Sequence, residues 1–177
     1  HGQPLSARAQ MPGEIFAPCA AAALYRTEVL RELGGFDESY FCYMEDLDLG
    51  FRVRLRGHTI RYVPDAVVHH VGSVSSGGRL SDFAVYHGHR NAVWTFVKNM
   101  PGALFWLALP LHLAANLAMV LRFVRLGQGR VILRAKRDAL RGLRRVWSER
   151  RAVQGAREAS VTQIWRVLHV SFEGYRS

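Results

Sequence analysis

The densest group of acidic side chains is Glu45-Asp46-Leu47-Asp48, three carboxylates in four positions. Leu47, Phe51 and Leu55 recur behind it on one helical face and Gly57 follows, so the spacing predicts a helix starting near Glu45. Carboxylates on a helix's first turn are favoured by its dipole, which helps keep them ionised near neutral pH. A carboxylate so placed can take the proton of an attacking hydroxyl or hold a metal ion. It can also simply start a helix, and Asp48 stands four residues before Arg52, the spacing of a structural ion pair.

A second group is His69-His70, followed by the Gly/Ser loop from Gly72 to Gly78. In a strand the two imidazoles face opposite ways, so one at most enters a given site. A histidine at a strand end beside such a loop can coordinate a metal or meet a diphosphate that the loop amides also bind. It can equally cap the strand and bind nothing. His58, His87 and His89 stand singly, and His112 with Asn116 is suited to hydrogen bonding with neighbouring helices. Cys19 and Cys42 are too few for a disulfide scaffold and lack metal-ligand spacing.

Several elements must position these groups. Thr27 to Leu33 reads as a short helix that Thr27 caps and Gly34-Gly35 ends. Ile60 to Val63 and Ala66 to Val71 read as extended segments separated by Pro64-Asp65. Residues 104–121 carry no charge, and as a straight helix would span roughly 27 Å. That is just short of a ~30 Å hydrocarbon core. Pro110 suggests a broken helix there. Beyond it, Val131, Ala135, Ala139, Leu143 and Val146 recur at helical spacing among arginines, as in a basic amphipathic helix on a membrane surface.

The 177 residues suffice for one domain with a real core, and 49% apolar content excludes wholesale disorder. The net charge of +10 is not spread evenly. Residues 1–121 hold ten basic and ten acidic side chains, whereas residues 122–157 hold twelve basic and two acidic. A uniformly basic nucleic-acid binder is thereby excluded. Between 122 and 157 the aromatics are only Phe123 and Trp147, too few for a base-stacking surface, so the segment points to anionic lipid instead.

Residues Gly34-Gly35-Phe36-Asp37-Glu38 through Glu45-Asp46-Leu47-Asp48-Leu49 and Arg52 resemble the second half of family 2 glycosyltransferases, bacterial rhamnosyltransferase-like members among them. The likeness continues through Gly57-His58, Tyr62-Val63-Pro64-Asp65-Ala66, His69-His70-Val71-Gly72-Ser73, Tyr86 and Arg90-Asn91. It is specific over residues 17–99. The resemblance implies an α/β fold, the C-terminal part of a GT-A-like (Rossmann-like) domain, followed by an apolar and then basic helical tail. The divisions expected are 1–99, 100–121, 122–157 and 158–177.

By the same resemblance Asp46 is the catalytic base, with Glu45 supporting it or serving as the alternative base. Asp37 and Glu38 shape the acceptor side. His69, more than His70, helps hold a divalent Mg2+ or Mn2+ and the donor diphosphate. The family's nucleotide-binding half and its Asp-X-Asp motif would precede His1, since residues 1–16 contain no aspartate. The chain is therefore expected to be inactive alone. The implied reaction moves a sugar, rhamnose by resemblance, from a nucleotide-sugar donor to a glycan or lipid-linked acceptor with inversion. It would run at the cytoplasmic face of the cell membrane, on a peripheral or re-entrant segment and without nucleic acid. The rival reading is a non-catalytic basic adaptor, binding membrane or nucleic acid, that keeps a degenerate transferase remnant.

Overall fold

A computed structural model describes residues 12–69, 77–78 and 80–173. The short helix expected after Arg26 runs Thr27–Leu33 (α1). Thr27 is its first helical residue and the cap position falls on Arg26, which makes no side-chain cap bond, so the expected threonine cap is absent. Gly34 ends α1 at φ 73°, a left-handed conformation that costs glycine little, and its N–H meets the carbonyls of Leu30 and Arg31. The helix expected near Glu45 is Glu45–Leu55 (α2), with Phe51 and Leu55 buried and Leu47 packed on the same apolar cluster.

Gly13–Glu14 (β1) and Arg61–Tyr62 (β2) pair antiparallel, Gly13 opposite Tyr62. This two-stranded ribbon is the only sheet among the described residues, so the expected α/β core is not formed by them. The second extended segment is the reason. Pro64-Asp65 turn the chain, 66–69 form no strand, and Val67 and Val68 stay exposed. No neighbouring strand among the described residues receives their backbone groups, and a strand without partners is not stable by itself.

Four helices build most of the body: Asp82–Asn99 (α3), Gly102–Arg125 (α4), Gly129–Gly155 (α5) and Val161–Glu173 (α6). The basic segment forms α5, but its apolar stripe does not face outward. Ile132, Ala135, Ala139 and Val146 are buried, and Trp94 of α3 donates its indole N–H to the Ala139 carbonyl at 3.0 Å. Gly142 makes this approach possible, because a Cβ there would lie 2.6 Å from the Trp94 ring. The stripe expected to lie on a membrane surface packs instead against α3, which small residues admit. Arg150 donates to the carbonyls of Val97 and Met100 at 2.7 Å each, satisfying groups left open where α3 ends.

The apolar run is one continuous helix through Pro110, not the expected broken one. Contacts along α5 hold it across the proline: Phe105 meets Trp147 edge to face, Asn116 meets Lys136, and Phe123 shares a cluster with Ile132. At ~1.5 Å per residue α4 is about 36 Å long. Its far side is bare, with Trp106, Leu107, Leu111, Leu117 and Leu121 exposed. The last segment, expected as a tail, folds back. Glu158 and Ala159 donate to the Leu55 carbonyl at 2.9 and 3.0 Å, and Ile164 is buried beside Phe16, Phe51 and Leu104.

Candidate active site

Glu45 and Asp46 open α2, immediately after a strained turn. Phe41, Tyr43 and Met44 all have positive φ, at 62°, 67° and 69°, and none is glycine. At Phe41 the Cys42 N–H reaches back to the Tyr40 carbonyl at 2.7 Å, closing a three-residue turn of the rare positive-φ kind. Each such residue costs on the order of 1–3 kcal/mol, so the surroundings must hold the turn. They do so from α3. The fully buried Asn91 shares its amide hydrogens among the carbonyls of Tyr40 (2.9 Å), Cys42 (2.8 Å) and Tyr43 (2.8 Å). Arg90 adds bonds to the carbonyls of Ser39 and Tyr40 at 3.3 and 3.1 Å.

The two carboxylates occupy different surroundings. Asp46 accepts from the Leu47 N–H at 2.8 Å and the Ala20 N–H at 3.4 Å, which fix its orientation. Glu45 has a buried carboxylate oxygen, Oε2, with no partner among the described residues. Burial raises the Glu45 pKa; its own backbone N–H lowers it, and the Asp46 charge adds to the rise. Tyr25, packed edge to face on Phe36, likewise keeps a buried hydroxyl with no partner among the described residues. Its pKa is raised by burial first and then by the Asp46 charge, which places the phenol in that carboxylate's field. Tyr25 Oη and Glu45 Oε2 are two of seven such atoms among the described residues, and these two stand in the field of Asp46, where a polar ligand could meet them.

Behind the dyad lies a closed ionic cluster. Asp48, fully buried, accepts from Arg52 Nε (2.9 Å), Asn99 (2.7 Å), Lys98 (3.1 Å) and the Tyr40 hydroxyl (3.2 Å). The Asp48–Arg52 pair is the one its spacing indicates, and the cluster ties α2 to α3. Burial and then the charge of Asp48 push the Tyr40 phenol far up, so it stays a neutral donor. Lys98 also pairs with Asp37 at 2.7 Å. Burial pushes Asp37 up, but the bonds from Lys98 and Ser39 outweigh it and hold its carboxyl at about 2.

Asp37 therefore spends its carboxylate on Lys98 and on the Ser39 N–H at 3.0 Å, whereas Glu38 is exposed beside it. His69 is exposed on an irregular stretch, and His70 lies outside the described residues with most of the Gly/Ser loop. Among the described residues no three His, Cys, Asp or Glu converge, so a divalent ion held here would need ligands from beyond them. Cys19 and Cys42 are both free. Sequence reasoning gave no role to Tyr25, Asn91 or Lys98. Asn91 stands in the sequence only as part of a motif, and nothing in a linear pattern signals that one amide holds three carbonyls.

Residues 4–100, more than half of the chain, match the family described as glycosyltransferase like family 2, and the chain belongs to it. Over 65 residues the chain is 43% identical to the N-acetylglucosaminyl-diphospho-decaprenol L-rhamnosyltransferase of Mycobacterium tuberculosis, in strains CDC 1551 / Oshkosh and ATCC 25618 / H37Rv alike. That stretch is 36% of this chain and 21% of each relative, so the match spans about a fifth of the relatives' length. No solved structure matches the chain.

Proposed function

We propose that this chain supplies the acceptor-activating side of an inverting sugar transfer. Asp46 takes the proton of an acceptor hydroxyl as its oxygen bonds to the anomeric carbon of a nucleotide-linked sugar, and the nucleoside diphosphate departs with the electrons of the broken bond. Glu45 and Tyr25 orient the acceptor through the polar atoms they leave unpaired, and exposed Glu38 extends the acceptor side. The donor sugar is L-rhamnose and the acceptor a lipid-linked glycan, by likeness to the mycobacterial relatives. The observation that carries this reading is the pair of buried orphan atoms gathered around an N–H-anchored aspartate, within a family of transferases.

The same proposal places the chain on the cytoplasmic surface of the membrane, with no nucleic acid. The α4 helix is long enough to cross, but α5 runs beside it over most of its length, carrying Arg134, Arg137, Arg141 and Arg144. A crossing would bring these toward hydrocarbon at ~2.5–3.5 kcal/mol each, so α4 lies in the plane with its bare face on lipid. The test is transfer by a chimera that joins the donor-binding half of the mycobacterial enzyme to this chain. Rhamnose transfer from its nucleotide to N-acetylglucosaminyl-diphospho-decaprenol is expected. A folded chimera that binds donor and acceptor yet forms no product would refute the reading.

A further inference from the structure

A groove of about 840 Å3 runs between α3, α4 and α5, within the size range of small-molecule sites. Its bed is apolar, with Phe96 and Val97 on α3, Leu109 and Leu113 on α4, and Leu140 and Leu143 on α5. Lys136, Arg144 and Arg151 of α5 also line it, and no acidic side chain among the described residues does. Leu113, in the bed, is itself exposed, so the groove opens onto the bare surface of α4.

The cations of this wall lack anions. Lys136 reaches only the carbonyl oxygen of His89, at 3.1 Å, and the amide oxygen of Asn116, both neutral. Burial pulls its pKa down to about 8, the mark of an ammonium short of compensation. Arg144 and Arg151 have no carboxylate within ion-pair distance among the described residues. Elsewhere on α5, Arg145 pairs with Glu149, and Arg134, Arg137 and Arg141 share Asp138. On the opposite wall the His112 Nε2 is buried without a partner.

We propose that the groove binds one anionic phospholipid of the bilayer, an acyl chain in its apolar bed and the phosphate on the edge formed by Lys136, Arg144 and Arg151. The charge of that edge selects the headgroup, and the opening onto α4 gives the chain a path from the membrane. Neither Tyr25, Glu45, Asp46 nor Asn91 lines the groove, so a lipid held in it leaves those side chains uncovered. The proposal rests on the membrane placement given above.

The chain is reconstituted in vesicles of phosphatidylcholine with phosphatidylglycerol, floated on a density gradient, and then examined by native mass spectrometry. One retained phosphatidylglycerol per chain is expected, preferred over phosphatidylcholine by about tenfold, the scale of one or two headgroup cations. Arg144→Glu with Arg151→Glu should abolish retention, while Arg130→Glu with Arg141→Glu, the same charge change off the groove, should keep it. Circular dichroism confirms that both variants fold. Equal loss in both pairs, equal retention of the two lipids, preference for an added polyprenyl phosphate, or a dimer that closes the groove would each overturn the proposal. A wild-type chain that floats without bound lipid overturns the groove alone. One that does not float overturns the membrane placement as well.

Discussion

At the scale of single residues, the site depends on how each carboxylate is partnered. Asp37 and Asp48 sit within nine positions of Asp46 or closer, yet both are consumed by Lys98 and its neighbours, while Glu45 keeps an open oxygen. Because the Asp37 pKa is about 2 against an ordinary 3.8, its contribution to stability is present above 3.8 and disappears as pH falls through about 2. Thermal melts across that acid window should therefore show a steeper loss for the native chain than for Asp37→Asn, and identical slopes would contradict the assignment. Asp48 could be read as structural from its spacing to Arg52 alone. The role of Asp37 could not, since Lys98 lies 61 residues away and meets it only once α3 has packed.

Among the elements, the turn before α2 and the face between α3 and α5 determine where the dyad points. Asn91→Ala leaves three carbonyls of a strained turn without their shared donor, and a loss of about 1–3 kcal/mol per stranded group is expected in urea unfolding. In an active chimera the same change should lower kcat and leave the donor KM nearly unchanged, the outcome expected of a turn whose role is to aim the dyad. An unchanged kcat would show that the turn positions nothing. Gly142→Ala must displace the Trp94 ring, which its Cβ would approach to 2.6 Å, at about 1–3 kcal/mol. Wild-type stability in that variant would contradict the close packing described. Helices α1 and α2 were legible in place and extent, though not in the cap of α1, because periodicity and a following glycine mark local structure. The destination of the basic stripe was not: amphipathicity shows that a helix has an apolar face but not whether lipid or another helix covers it.

The whole molecule joins a polar site at the start of α2 to a helical body whose apolar and basic surfaces lie together on α4 and α5. Charge partition along the sequence correctly separated a neutral region from a basic one, but α5 proved to be a packing partner of the neutral region and not an appendage. The expected sheet does not form because 66–69 have no strand to pair with among the described residues, whereas Glu45-Asp46 stand out as a local acidic motif that a plain helix start would also explain. The central claim is that Asp46 is the base. Its most direct test is steady-state rhamnose transfer by the chimera carrying Asp46→Asn, with Glu45→Gln beside it. Loss of Asp46 should lower kcat by about 10²–10⁴-fold with the donor KM and the melting curve unchanged, and Glu45→Gln should cost less. Wild-type turnover in Asp46→Asn would contradict the account.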